Sequence, residues 1–104
     1  MNFGGFNMQQ MMKQAEQMKR QLEEGKDKLR TETVSASVGG GMVEAVMTGD
    51  GKIVSIKINP AVVDADDVET LEDLIISALN QAGEKAEELK QKILGPMAGA
   101  GGLF

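Results

Sequence analysis

The chain of 104 residues has no Cys, no His, no Trp and no Tyr, and only three Phe and two Pro. Without Cys there is neither a disulfide framework nor thiolate chemistry, which fits a reducing compartment. Without His the commonest general base and the commonest metal ligand near neutral pH are missing. With so few rings, the core must be built from aliphatic side chains and from the eight Met. No apolar run approaches the ~18–20 residues needed to span a bilayer. The N-terminal MNFGGFNMQQ lacks the basic start and apolar middle of a signal peptide. We therefore expect a soluble cytoplasmic protein with no membrane partner.

Hydrophobic residues make up 41% of the chain, and the length suits a single small domain. The formal net charge is −5. Taken alone, that disfavours nucleic acid, whose binding draws on Lys and Arg to neutralise phosphates. The distribution alters the argument. Residues 8–30 hold six cations against four acids, whereas residues 31–104 hold five against twelve. The pattern is a basic arm on an acidic body.

That arm reads as one long helix over residues 8–30. Met8, Met11, Ala15, Met18, Leu22 and Leu29 recur at spacings of three and four, and only Gly25 interrupts them. Residues 31–38 (TETVSASV), 42–48 (MVEAVMT) and 52–58 (KIVSIKI) read as strands. In the third, Val54, Ile56 and Ile58 are expected to face the core, with Ser55 and Lys57 opposite. Gly39-Gly40-Gly41 and Gly49-Asp50-Gly51 separate the strands. A phosphate-cradling loop needs a strand before it and a helix N-terminus after it. Each cluster here has a strand on both sides, so both are hairpin turns.

Asn59-Pro60 ends the third strand, and residues 61–66 (AVVDAD) connect, with at most a short helical turn. A second helix is expected from Asp66, capped by Asp66 with Glu69 completing a capping box. It runs to about residue 93, where Gly95-Pro96 stops it, and Val68, Leu71, Leu74, Ile75, Ala78, Leu79 and Ala82 share its apolar face. The fold class is α+β: helix, three-stranded antiparallel meander, helix. Residues 8–94 form the one domain, with residues 1–7 and the Gly/Ala-rich 95–104 expected to be flexible. Two long helices overhang so small a sheet, which predicts a two-fold homodimer. Met11, Met18, Leu22, Leu74 and Leu79 are the stripe expected to fill the core or the dimer contact.

Catalysis has little to work with. Asp64, Asp66, Asp67, Glu69, Glu72 and Asp73 cluster, but without the spacing of a calcium loop. Acids at a helix start are expected from its dipole. Ser35, Ser37, Ser55 and Ser77 have no His to activate them. We expect no catalytic residue, no metal, no cofactor and no small-molecule substrate. The functional lead is cationic. Lys13, Lys19 and Arg20 lie within one turn of a single acid, Glu16, and leave a local surplus. Further along, Glu24–Lys28 and Asp27–Arg30 are spaced to pair. The clustered Met8, Met11, Met12 and Met18 are read as packing residues, with a surface for a protein partner as the alternative. Any DNA contact should be to phosphates, because no aromatic platform, zinc finger or helix–turn–helix spacing is present.

Four stretches, in order and at fixed spacing, resemble the YbaB/EbfC family of bacterial nucleoid-associated proteins. They are residues 11–18 (MMKQAEQM), 39–43 (GGGMV), 56–60 (IKINP) and 71–82 (LEDLIISALNQA). The sequence departs from the common family pattern at Asn59-Pro60, where Asp-Pro is usual, and at Asn80-Gln81-Ala82, where Asn-Asp-Ala is frequent. The resemblance implies a tweezers-shaped α+β homodimer with projecting helices. It also implies double-stranded DNA as partner, a place in the nucleoid, and a role in chromosome organisation and gene expression. Carried over, the DNA-binding candidates are Lys13, Lys19, Arg20 and Lys26 on the first helix and Lys90 and Lys92 on the second, with Lys85 as a further contributor. The alternative reading is an interaction module that docks a DNA repair or replication protein through the Met-rich helix.

Overall fold

The computed structural model describes residues 8–95. Of the terminal segments expected to be flexible, 1–7 and 95–104, all but Gly95, which caps α2, lie outside the described residues. The element order is α1 (Met8–Thr31), β1 (Thr33–Val38), β2 (Val43–Thr48), β3 (Ile53–Ile58), a 3-10 turn (Pro60–Val62) and α2 (Val68–Leu94). This is the α+β arrangement that the periodicities predict.

The three strands pair antiparallel in the order β1-β2-β3. Both connections are tight turns. Gly39, Gly40 and Gly41 all have positive φ, between 62° and 93°, which explains the glycine run. In the second turn only Gly51 has positive φ, at 91°. Gly49 is glycine for another reason. A Cβ there would stand 2.6 Å from Leu29 Cδ2 and 3.2 Å from the Leu29 carbonyl oxygen. The turn thus receives the end of α1 against bare backbone, and the Asp50 amide donates to the Leu29 carbonyl at 3.2 Å.

One face of the sheet carries the core. Ala36 and Val38 of β1 stand opposite Ala45 and Val43 of β2 and are buried with Met47. Ala78, Ala82 and Ala86 of α2 close this face, with Val34, Leu71, Leu74, Ile75 and Leu79 half-buried around them. Three alanines one turn apart let the helix backbone lie close on the strands. Ala82 is fully buried, so Ala82→Leu should overpack this seam. Chemical denaturation should register a loss of about 1–3 kcal/mol.

Two sequence expectations need correction. α2 starts after Asp67, not at Asp66. The Asp67 carboxylate accepts from the Thr70 amide at 3.4 Å and from the Thr70 hydroxyl at 2.7 Å. Asp66 sits in the preceding turn, where its amide donates to Asp64 Oδ1 at 2.9 Å. Asn59 keeps the capping role of the carboxylate more usual there, since its Oδ1 accepts from the Ala61 amide at 2.9 Å.

The second correction concerns β3. Ile56 and Ile58 stand opposite Ala45 and Val43 and so do point to the α2 side. They are nevertheless not core. α2 packs over β1 and β2, and Ile53, Val54, Ile56 and Ile58 remain 37–56% exposed. A register shift at Val46/Met47 puts Ile53 opposite Met47 and leaves Val54 without a partner in the ladder. β3 is therefore an edge strand with an uncovered apolar face.

Candidate nucleic-acid interface

α1 and α2 meet only near their C-terminal ends. A Cβ on Gly25 would lie 2.6 Å from Leu94 Cδ2 and 3.4 Å from Ile93 Cγ2. Leu29 lies beside Leu89 at the Gly49 backbone. The helices thus run antiparallel, and α2 stops where α1 passes Gly25. The glycine that interrupts the apolar stripe is the residue that lets α2 seat against α1. Gly25 and Leu29 are the buried residues of α1, and every residue from 8 to 21 is exposed. At about 1.5 Å per residue, some 20 Å of helix projects beyond the body. The long dimension of the molecule is correspondingly 81 Å, against 22 and 18 Å in the other two.

The arm has two unlike faces. Lys13 and Arg20 are seven residues apart and share one face, with Lys19 beside it. Met11 and Met18 are also seven apart, and each lies two residues, or about 200° of helix rotation, from one of those cations. The Met residues are not packed: Met8, Met11, Met12 and Met18 are 52–70% exposed. In a single chain the reading of these methionines as core does not hold, because nothing in α2 or the sheet reaches them. Leu22 is half-buried, as are Leu74 and Leu79 on α2.

Among the described residues, Lys13, Lys19 and Arg20 form no ion pair. Nearer the root the cations are partly engaged. Arg30 Nη2 meets Asp27 Oδ1 at 2.7 Å, the spacing expected from sequence. Lys28 meets Glu32 at 3.9 Å, rather than the anticipated Glu24. Both pairs are exposed and contribute little to stability.

The α1–α2 seam separates the remaining candidates. Lys26 and Lys90 line one cleft together with Arg30, a residue that sequence reasoning left out of the set. Its signal was position: Lys26 and Arg30 are one turn apart on the same face. Lys92 lies in a groove across the seam, with Gln21 and Lys28. Lys85 is tied down, since its Nζ donates to the Ser35 carbonyl oxygen of β1 at 2.8 Å. The structure thus brings Lys26 and Lys90 together and leaves Lys13, Lys19 and Arg20 apart on the arm. Among the described residues no group of three or more acids is arranged to hold a metal ion.

The fold and its charges define a small α+β protein that carries a basic, solvent-exposed helical arm. The chain belongs to the YbaB/EbfC DNA-binding family, whose sequence model matches residues 3–102. That family is defined by DNA binding and is not an enzyme family. The chain is 57% identical over 86 residues to a nucleoid-associated protein of Thermoanaerobacter sp. (strain X514), covering 83% of this chain and 78% of that protein. It is 46% identical over 94 residues to a nucleoid-associated protein of Saccharopolyspora erythraea, covering 90% and 81%. A crystal structure of an uncharacterised Helicobacter pylori protein has the same fold, with a TM-score of 0.76 at 24% identity over 89% of this chain and 98% of that one.

Proposed function

We propose that the protein is a nucleoid-associated, homodimeric binder of double-stranded DNA. It holds the duplex mainly through phosphates, with low sequence specificity, and helps organise the chromosome and affect gene expression. The location that follows is the nucleoid, within the cytoplasm. The observation that carries the reading is the unpaired Lys13–Lys19–Arg20 group on an arm that stands clear of the acidic body. A projecting helix keeps these charges away from the carboxylates of α2, so the net charge of −5 does not cancel their local field. The names of the relatives point the same way.

Homodimer formation is supported by the bare face of β3. Ile56 and Ile58 form an apolar surface beside a strand edge whose outer backbone groups have no ladder partner. A second copy placed there by a two-fold axis satisfies both needs and presents two arms to one duplex.

The test is a salt series of duplex binding on the full chain, with protein concentration measured without 280 nm absorbance because Trp and Tyr are absent. Log K is expected to fall linearly with log salt, by about 0.9 per phosphate contacted, with little dependence on DNA sequence. Absence of binding at low salt would refute the proposal. A second reading is favoured by the exposed apolar patch that Met8, Met11, Met12 and Ala15 form on the arm. There the arm docks a DNA repair or replication protein. Met11→Gln with Met18→Gln is expected to leave duplex affinity unchanged. A chain that binds no DNA but loses a protein partner on this change would support the second reading instead.

A further inference from the structure

The cleft at the root of the arm has features that a duplex backbone does not require. It is an open cleft of about 370 Å³ between α1, the β2–β3 turn and α2, within the roughly 300–1,000 Å³ of small-molecule sites. Its floor is apolar and built from core: Leu29, Ala86 and Leu94 are 2–5% exposed. Its walls include the backbone of Gly49, Gly51 and Gly83. Gly51 is glycine for its positive φ, and Gly49 for the close approach of Leu29. Gly83 has no such reason. It lies in the middle of α2, where glycine costs helix stability, and a Cβ there would meet nothing within 4 Å. The space beside it, at the cleft, is open.

The rim is charged, and its charges are unequally committed. Arg30 is paired with Asp27. The Asp50 carboxylate accepts from the Thr48 hydroxyl, and Glu87 accepts from Gln91. Among the described residues, Lys26 and Lys90 have no acidic partner. The site thus offers an aliphatic floor, glycine walls and three cations, Lys26, Lys90 and the Asp27-paired Arg30, against two carboxylates, Asp50 and Glu87, that form no ion pair among the described residues.

We infer that this cleft binds a small phosphorylated ring compound of the nucleotide class. The phosphate is held between Lys26 and Lys90, and the ring lies over Leu29, Ala86 and Leu94. Aliphatic floors accept the face of a heterocycle without an aromatic platform, and two lysines from different helices suit a doubly charged phosphate. Because the cleft is shared by α1 and α2, a ligand there braces the base of the arm. The test of the cleft contains no DNA, so its outcome is read separately from duplex binding.

The probe is adenosine 5′-monophosphate, titrated into the full chain and followed at the backbone amides of Gly49, Gly51 and Gly83 by NMR. Saturable shifts at these amides are expected. Lys26→Gln with Lys90→Gln should weaken binding by about tenfold or more, without changing thermal unfolding. Gly83→Leu fills the cleft from a position with room for a side chain and should weaken it at least as much. Adenosine, without the phosphate, and ribose 5-phosphate, without the ring, should each bind about tenfold more weakly. No saturable shift at millimolar probe overturns the inference. So does binding that Gly83→Leu leaves unchanged, or equal binding of ribose 5-phosphate, which would mark a mere anion patch. A change of oligomeric mass in Gly83→Leu, with no binding of the probe to the unaltered chain, assigns the glycine to subunit contact and overturns it as well.

Discussion

Replacing Lys13, Lys19 and Arg20 together with Glu is expected to lower duplex-DNA affinity by about a hundredfold or more near physiological salt. The slope of log K against log salt should become shallower by about 0.9 for every phosphate that is no longer neutralised. In a dimer each substitution is made twice, and reversal adds repulsion to the missing attraction. The fold should survive, because these side chains are exposed and form no ion pair among the described residues. Far-ultraviolet circular dichroism and the unfolding midpoint are expected to match the parent chain within about 0.5 kcal/mol. The control is Lys85→Gln. Lys85 is held by the Ser35 carbonyl, so its removal should affect the α2–β1 seam more than DNA. Unchanged duplex binding by the triple variant would remove the arm from the interface and shift attention to Lys26, Lys90 and Lys92.

The second large effect concerns assembly. Ile56→Lys with Ile58→Lys is expected to convert the proposed dimer to monomer, read by sedimentation velocity or native mass spectrometry. Both residues lie on the α2 side of the sheet, yet each is 37% exposed in the single chain. Lys there reaches solvent in a monomer by extending its stem. In a two-fold contact the same Lys is buried against its own copy. An unpaired buried charge costs roughly 3–5 kcal/mol, which corresponds to about a hundredfold or more in the dimer dissociation constant. Duplex affinity should fall with it, because one arm loses the effective concentration supplied by the other. A variant that stays dimeric would place the subunit contact elsewhere.

Much of this architecture was legible from residue spacing. The alternation of three and four in Met8, Met11, Ala15, Met18 and Leu22 fixes a helix whatever it packs against. The glycine clusters between Val- and Ile-rich runs fix two hairpins, because positive φ at Gly39–Gly41 and Gly51 has few other solutions. The cation surplus of α1 is likewise a property of the chain. What spacing could not reveal is who covers each apolar face. Val54, Ile56 and Ile58 read as core because they alternate with polar residues, and alternation reports only that a face exists. Whether it is buried depends on where α2 lands, and α2 lands over β1 and β2. The four Met of α1 pose the same question, since their spacing gives a stripe without saying whether the chain itself, a second copy or a partner covers it.

Local electrostatic detail behaved similarly. Asp27–Arg30 formed as the spacing predicts, but Lys28 turned to Glu32 instead of Glu24. Both choices are one turn away, and exposed pairs of this kind differ by only a few tenths of a kcal/mol. Asp66 and Asp67 are equally suited to cap a helix by type. The amides of both are bonded to Asp64 in the preceding turn, and it is the Asp67 carboxylate that meets the Thr70 amide.

By itself, then, the amino-acid sequence determined the element order, the hairpins, the family and the presence of a basic arm. Each of these rests on interactions between near neighbours in the chain or on composition. Only the tertiary structure decided that Gly25 is the seat of Leu94, that Lys26 and Lys90 share a cleft, that Lys85 is tied to β1, and that β3 is left bare. Those outcomes depend on the crossing of α1 and α2 and on the placement of α2 across the sheet. Contacts between residues tens of positions apart set both, and no local period encodes them.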